Sequence, residues 1–240
     1  MSAAVKGGDA RRDRWSDHRA RRRREFVDAA LRVLEVQGPD LPMDAVAAEA
    51  GVTKPVLYRY FSDKAALVRA LDERGSQILL DRLLPAINAG SPALARVRDS
   101  VGAYFAVIDE HPNLYWLLAR EGRADSGSGP DSIQQNKEFI ATALTAVLGD
   151  YLRAYGLDSG GAEPWAYGMT GLVQSTGDWW LQRRSMTRAT VVEYVTQIIW
   201  AAISGMLREA GIVVNPDEPF PQTRPPLHAV TPTDAWLAPG

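Results

Sequence analysis

The stretch from Gly51 to Lys64 carries the residues whose chemistry most clearly indicates a binding function. Two apolar residues four apart, Leu57 and Phe61, would lie on one side of a short helix and face a core. Its other sides would present basic and phenolic side chains, namely Lys54, Tyr58, Arg59 and Tyr60. Side chains of this kind suit a groove edged by phosphates. We therefore interpret the stretch as the second helix of a helix-turn-helix, the helix that enters the major groove of DNA.

The net charge of -2 conceals an uneven distribution along the chain. Residues 1–75 contain 15 Lys and Arg against 12 Asp and Glu, whereas the remaining residues contain 12 against 17. Positive charge is therefore concentrated at the end that holds the helix-turn-helix pattern, as expected for a protein that contacts nucleic acid with that end. The arginine run Arg21–Arg24 has two interpretations: a solvated helix start, or a contact with phosphates or the minor groove.

Other function classes find little support in the sequence. The absence of cysteine excludes disulfides and thiolate metal sites. The three histidines are scattered, and the chain has neither a G-x-S-x-G motif nor a glycine-rich phosphate loop. We therefore expect no enzymatic activity, no metal and no cofactor.

The sequence also predicts a cytoplasmic protein with no membrane partner. No apolar run approaches the roughly 18–20 residues needed to cross a bilayer. The N-terminus is polar and rich in arginine, unlike a signal peptide.

The apolar pattern predicts an all-α chain, because apolar residues recur at helical spacing and no segment shows sustained period-2 alternation. A helix over about Pro42 to Ala50 would precede the recognition helix, with Pro42 in its first turn. Gly51 is expected in the left-handed conformation that turns the chain. Thr53 is expected to cap the next helix through its hydroxyl, and a fourth helix would be capped by Ser62 or Asp63.

The composition divides the chain into four regions. Residues 1–20 are predicted to be a disordered basic arm, and residues 21–75 a helix-turn-helix domain. Residues 76–211 are predicted to form a larger helical body. Residues 212–240 contain seven prolines and are expected to be an extended or disordered tail.

Residues 21–75 resemble the DNA-binding domain of the TetR family of bacterial transcriptional regulators. The similarity is carried by Met43 to Phe61, followed by Lys64 and Leu67. Pro42 departs from the pattern, because the family often has Ser or Thr there to cap the second helix. The resemblance implies an N-terminal three-helix DNA-binding domain and a larger C-terminal helical domain for ligand binding and dimerisation.

The resemblance also implies roles for individual residues of the recognition helix. Four would face base edges, namely Lys54, Pro55, Val56 and Arg59, with Arg59 able to reach both acceptors of a guanine. Four others would hold phosphates, namely Thr53, Tyr58, Tyr60 and Lys64. The alternative for Tyr58 and Tyr60 is packing within the small domain, and for Arg59 it is a solvated charge.

A homodimer bound to palindromic, double-stranded operator DNA is a further implication. One helix of this size makes too few contacts for useful specificity, and two-fold pairing doubles them. The segments expected to pair between subunits are Thr176–Leu181 and Ile198–Ile203. The alternative is that these residues are internal core.

The larger domain is expected to bind a hydrophobic small-molecule effector, such as a fatty acid, an acyl-CoA or a drug. The candidate contacts are Tyr104, Phe105, Ile108, Trp116, Phe139, Gln174, Asp178 and Trp179, and Gln135 and Asn136 are further polar candidates. Aromatic residues at helical spacing are more often core than pocket, so that alternative stays open.

The favoured function is a ligand-responsive transcriptional regulator, with repression taken from the family default. The effector would shift the population towards a spacing of recognition helices that no longer fits the DNA. The alternative is an all-α protein that binds a hydrophobic ligand without binding an operator. The excess of basic residues in 1–75 argues against it.

Overall fold

The residues that the structure describes fold into helices joined by turns and irregular segments, which confirms the predicted all-α class. The computed structural model describes residues 6–124 and 132–221. Within them the helices are α1 (Lys6–Gln37), α2 (Met43–Glu49), α3 (Lys54–Tyr58), α4 (Lys64–Asn88), α5 (Ala93–Glu110), α6 (Pro112–Ala124), α7 (Ser132–Ala154), α8 (Ala162–Arg183) and α9 (Arg188–Glu209).

The chain separates into two compact units. Of the described residues, the first unit contains 6–75 and 113–124, and the second contains 76–112 and 132–221. The sequence had assigned residues 113–124 to the larger body, so their place in the first unit is a difference from that division. Residues 113–124 belong to the first unit because they contact residues that are far from them in the sequence.

Helix α6 joins the first unit through apolar packing and hydrogen bonds. A Cβ atom on Gly75 would lie 3.1 Å from Leu114 Cδ2, so the absence of a side chain at Gly75 lets α6 pack closely there. The side-chain amide of Asn113 donates to the carbonyl oxygen of Leu34 at 2.8 Å, and Arg120 binds the carboxylate of Asp40 at 2.8 Å. The guanidinium of Arg120 lowers the pKa of Asp40.

The core of the first unit consists of the apolar stripes that the sequence predicted. The side chains that are at most 1% exposed include Phe26, Leu34, Val46, Leu57, Leu67 and Leu71 on α1 to α4, and Phe61 in the turn between α3 and α4. Since they repeat every three or four residues, each helix turns one face inward. The short helices α2 and α3 are fixed by this burial.

Helix α1 begins at Lys6, whereas the sequence predicted a disordered arm over residues 1–20. Arginine and alanine, which are good helix formers, are frequent between residues 10 and 24, and Gly7 and Gly8 fall in the first turn. A helix already formed by the packed residues from Phe26 onward extends residue by residue without a new nucleation step. Residues 1–5 of the predicted arm lie outside the described residues.

The second unit has an aromatic centre between α5 and α8. Gly177 of α8 allows the close approach, because a Cβ atom there would lie 2.9 Å from Tyr104 Cε1 and 3.0 Å from Ile108 Cδ1. Phe105 and Trp180 meet edge to face with ring centroids 5.7 Å apart. Helix α9 packs on α5, and α7 packs on α8.

Helix α9 is long and apolar enough to cross a membrane by length and composition alone. An 18-residue stretch of it has a mean hydropathy of 1.3, and 39% of that stretch is buried. This differs from the prediction that no apolar run in the sequence is long enough to cross a bilayer. The buried residues Val191, Val195 and Ile199 recur at helical spacing on one face. Part of the hydropathy of α9 therefore belongs to the core of the second unit.

Residues 212–221, here called the C-terminal strap, return to the start of α5. The backbone N–H of Ala93 donates to the carbonyl of Glu218 at 2.8 Å, and that of Leu94 donates to the carbonyl of Pro216 at 3.2 Å. First-turn N–H groups have no partner within their own helix, and Pro92 at the N-cap offers no side-chain acceptor. The strap therefore caps α5. The rest of the predicted tail, residues 222–240, lies outside the described residues.

Side chains of the strap add apolar contacts to this cap. Phe220 packs on Tyr151 of α7 with ring centroids 5.0 Å apart. Arg96 of α5 lies over the same Tyr151 ring, and its guanidinium donates to the Tyr151 hydroxyl. Ile212 and Val214 pack against a buried cluster of Leu152, Ala162 and Leu207.

Replacing Phe220 by alanine is expected to lower the free energy of unfolding by about 1–3 kcal/mol, because a half-buried aromatic contact is lost. Urea unfolding followed by tryptophan fluorescence measures the change. Val213→Ala is the matched control, since Val213 lies in the same strap but is 85% exposed. Its effect should stay within about 0.5 kcal/mol. Equal effects of the two substitutions would contradict the contribution of the Phe220 contact.

Candidate DNA-binding surface and effector domain

The turn between α2 and α3 has the geometry that the sequence predicted. Gly51 has φ 66°, the left-handed conformation, which glycine adopts without steric cost. The N–H of Val52 donates to the carbonyl of Ala47 at 2.9 Å and closes the end of α2. Pro42 is the N-cap residue of α2 and provides no side-chain hydrogen bond, so it lies one position before the predicted first turn.

Helix α3 is short and lacks the predicted side-chain cap. Thr53 precedes it in an extended conformation, but its hydroxyl makes no capping hydrogen bond. The carbonyl of Thr53 instead accepts from the N–H groups of Val56 and Leu57 at 2.9 and 3.3 Å. The expected cap of α4 does form, because Asp63 Oδ1 accepts from the N–H of Ala66 at 2.7 Å. That hydrogen bond lowers the pKa of Asp63.

Burial separates the two sides of the α3 region as the sequence predicted. Leu57 and Phe61 are 0% exposed and belong to the core. Of the proposed DNA contacts, the exposed ones are Thr53, Lys54, Pro55, Tyr58 and Arg59. The half-buried ones are Val56, Tyr60 and Lys64. The structure thus presents a polar surface with Lys54, Tyr58 and Arg59 accessible, backed by two buried anchors.

The ring of Tyr60 takes part in packing within the first unit. It meets Phe26 edge to face with centroids 5.0 Å apart. This is the packing alternative that the sequence left open, and it fixes the direction in which Tyr60 points. Tyr58 is 40% exposed, so its ring is accessible from outside the unit.

Lys54 forms an ion pair that the sequence analysis missed. Its Nζ lies 2.9 Å from Oδ1 of Asp44 on α2. The hydrogen bond to Asp44 raises the pKa of Lys54 above its ordinary value. The separation of ten positions carries no local signal, because the two residues meet only once α2 and α3 are packed.

Two residues of the arginine run lie over aromatic rings of the core. Arg22 lies 5.1 Å from the ring centroid of Phe26 and also binds Glu25 at 2.6 Å. Arg23 lies 4.6 Å from the ring centroid of Phe61. Arg21 and Arg24 are exposed. The run therefore serves both packing and surface charge.

The effector candidates fall into different environments. Phe105 and Ile108 are buried in the core of the second unit, and Tyr104 packs against Gly177 beside them. Gln174 and Asp178 are half-buried on α8. Phe139 and Trp179 are exposed on α7 and α8. Trp116 belongs to the first unit, where its ring meets that of Tyr115, whereas the other candidates belong to the second unit.

Core packing is thus the observed environment of Phe105 and Ile108, which was the alternative for aromatic residues at helical spacing. Two buried hydroxyls were missed by the sequence analysis. The Oγ1 atoms of Thr170 on α8 and Thr196 on α9 are buried without a hydrogen-bond partner among the described residues. The polar candidates Gln135 and Asn136 have side chains outside the described part of the structure.

An exposed apolar stripe runs along α9. Tyr194 and Ile198, four residues apart, are each 55% exposed, and Ala201 and Ala202 follow one helical turn later. Exposed apolar groups recurring at this spacing form a continuous surface, and the adjacent small side chains permit close approach by another helix.

Two family profiles match the chain. The family described as "Bacterial regulatory proteins, tetR family" matches residues 26–71, and the one described as "Tetracyclin repressor-like, C-terminal domain" matches residues 82–211. Together they include the α2–α3 surface, the aromatic centre of the second unit and the apolar stripe of α9.

Two similar proteins come from mycobacteria. An uncharacterised HTH-type transcriptional regulator of Mycobacterium tuberculosis is 32% identical over 204 residues, which cover 85% of this chain and 86% of that protein. The HTH-type transcriptional activator FasR of Mycolicibacterium smegmatis is 29% identical over 200 residues, which cover 82% of this chain and 89% of FasR.

Solved structures show the same fold. A tetR-family transcriptional regulator from Streptomyces coelicolor superimposes with a TM-score of 0.64 and 24% identity, covering 79% of this chain and 83% of that one. The regulator FadR from Bacillus subtilis, in complex with stearoyl-CoA, superimposes with a TM-score of 0.57 and 16% identity, covering 73% of this chain and 96% of that one.

Proposed function

Because the chain belongs to the TetR family of bacterial transcriptional regulators, we propose that it binds a palindromic operator as a homodimer and responds to a hydrophobic effector. The observation that carries the proposal is the polar surface of α3 and the residues that follow it, where Lys54 and Arg59 are exposed while Leu57 and Phe61 are buried. The C-terminal domain provides the ligand-binding and dimerisation functions.

The residues of α3 and of the segments that flank it divide into those that contact bases and those that bind phosphates. Arg59 can donate to both acceptors of a guanine, and Lys54 can donate to one of them. Pro55 and Val56 offer apolar contact to a thymine methyl group. The hydroxyl and ammonium groups of Thr53, Tyr58, Tyr60 and Lys64 bind phosphates and set the register on the duplex. Arg21 and Arg24 of α1 add phosphate contacts.

Replacing Arg59 by alanine is expected to relax sequence preference at one position in each half-site. Loss of a bidentate contact to guanine should reduce discrimination at that base by about 5- to 150-fold. Binding of the wild-type and variant proteins to a set of singly substituted duplexes measures it.

Arg153→Ala is the control, because Arg153 is exposed in the second unit and carries the same charge. It should leave the preference unchanged. Equal discrimination by wild type and Arg59→Ala would contradict the base-reading role of Arg59.

Homodimerisation is supported by the apolar stripe on α9. Tyr194 and Ile198 would be covered by the same stripe of a second copy, as a two-fold axis requires. Trp179 on α8 is a further exposed aromatic residue available to the interface. A dimer interface on α9 also explains why this helix has the hydropathy of a membrane span, because one face packs in the core and another would contact the partner.

Substituting Ile198 by glutamate should weaken the dimer strongly, because the interface would have to bury an unpaired carboxylate. Sedimentation equilibrium over a concentration series should show a rise of the dimer dissociation constant by at least about tenfold. Ala154→Glu adds the same charge at an exposed position of α7 and should leave the constant unchanged. A wild-type chain that stays monomeric, or an Ile198→Glu variant that dimerises like wild type, would contradict the proposed interface.

The effector is proposed to be a fatty acid, an acyl-CoA or a similarly apolar drug. Tyr104, Phe139 and Trp179 are aromatic candidates that are not fully buried, and Gln174 and Asp178 are polar candidates on α8. The unpartnered hydroxyl of Thr170 on the same helix is available to a polar group of the ligand. The stearoyl-CoA held by FadR of Bacillus subtilis supports this ligand class.

Stearoyl-CoA is expected to change operator affinity by about 5- to 150-fold, the usual range of coupling between two sites. Fluorescence anisotropy with a labelled duplex measures this affinity. Acetyl-CoA is the control for the nucleotide part and should have no effect, while stearate tests whether the acyl chain suffices. If neither stearate nor stearoyl-CoA changed operator affinity, a fatty effector would be ruled out.

We propose repression by occupation of the operator as the direction of regulation. An effector that favours a different spacing of the two recognition helices would then release the DNA. Activation is the second candidate, because the similar protein FasR is a transcriptional activator. Transcription from an operator-controlled promoter with and without the protein separates the two.

A further inference from the structure

We propose that Asp44 is a specificity-determining residue, whose carboxylate competes with DNA phosphates for the ammonium group of Lys54. Paired with Asp44, Lys54 contributes little to the binding of arbitrary DNA, and it changes partner only where a base offers an acceptor. The inference rests on the proposed role of Lys54 in operator binding and adds a residue that opposes non-specific binding.

The geometry places both charges at the entry to α3. Asp44 lies in the first turn of α2, and Lys54 is the first residue of α3. Nζ and Oδ1 are 2.9 Å apart, and the two side chains are 46% and 75% exposed. A duplex that approaches the exposed side of α3 therefore meets the carboxylate as well as the ammonium group.

The Lys54–Asp44 ion pair contributes little to the stability of the fold. Exposed ion pairs contribute little to stability because water screens them and the side chains lose freedom. Val46 of α2 and Leu57 of α3 are instead both fully buried, and the hydrogen-bonded turn at Gly51 joins the two helices. Asp44 can therefore be changed while the surface on which Lys54 sits is kept.

The charge on Asp44 affects operator and non-operator DNA differently. Arbitrary DNA is held by phosphate contacts, so a neutralised lysine and a nearby carboxylate both weaken that binding. On the operator, a base acceptor offers Lys54 a new hydrogen bond that offsets the loss of the pair. Since specificity is a difference between two affinities, a group that opposes the wrong partner raises it.

A second carboxylate on α2 provides a matched control. Glu49 forms its ion pair with Arg32 of α1 at 2.6 Å, whereas Asp44 forms its ion pair with Lys54 of α3. Asp44→Asn and Glu49→Gln each remove one negative charge from the same helix while keeping the size of the side chain. An effect of net charge alone would be equal in the two variants.

The test compares two duplexes of equal length: one selected from a random pool by the wild-type protein, and one of scrambled sequence. Fluorescence anisotropy gives the dissociation constants of the full-length protein from about 50 to 200 mM salt. Asp44→Asn should tighten binding to the scrambled duplex by about three- to tenfold and steepen its salt dependence by about 0.9 in logarithmic slope. Binding to the selected duplex should tighten less, so the specificity ratio falls.

Glu49→Gln should leave the specificity ratio at the wild-type value. In a Lys54→Met background, Asp44→Asn should no longer steepen the salt dependence, because the competing ammonium group is gone. An unchanged ratio in Asp44→Asn, or equal effects of the two carboxylate substitutions, would overturn the inference. An equal steepening of the salt dependence by Asp44→Asn in the Lys54→Met background would overturn it as well.

The outcome also separates this inference from the proposed function. If the wild-type protein selects no duplex from the pool, operator binding itself fails. If it selects one and Asp44→Asn has the same ratio as wild type, only the role of Asp44 fails. Circular dichroism of each variant, expected to match wild type, excludes loss of folding as the cause.

Discussion

The burial of Leu57 and Phe61 is the constraint on which the proposed DNA-binding surface depends. Helix α3 runs only from Lys54 to Tyr58, too short to persist in water through its own hydrogen bonds. It also lacks a side-chain cap, so its shape and direction come from the two anchors and from the left-handed turn at Gly51. A helix held in this way is only as rigid as the core beneath it.

The sequence predicted the first unit well where the signal was local. The apolar spacing, the glycine in the turn and the cap at Asp63 each depend on residues that are close together in the sequence. The ion pair of Lys54, the packing of α6 and the capping of α5 join residues far apart, and the sequence carries no periodic signal for such contacts. The start of α1 was missed for another reason: charged composition indicated disorder, while helix propensity and a packed neighbouring segment favoured continuation.

The second unit shows a different limit of sequence reasoning. Its aromatic residues could be named from the sequence, but core and ligand-contact residues draw on the same amino acids. Gly177 largely determines that Tyr104 and Ile108 are packed against α8, because the missing Cβ atom allows the helices to approach closely. The same helix exposes Trp179 on another side, so α8 combines core packing with surface available to partners.

The strap makes the capping of α5 depend on the order in which the chain is synthesised. Ala93 and Leu94 emerge from the ribosome long before Pro216 and Glu218, so the first turn of α5 is made without the carbonyls that later cap it. A nascent or prematurely terminated chain can thus contain every helix from α1 to α9 and still leave α5 open at its start. Closure by the strap requires translation through residue 218, and chains that stop before it would offer proteases an uncapped helix end.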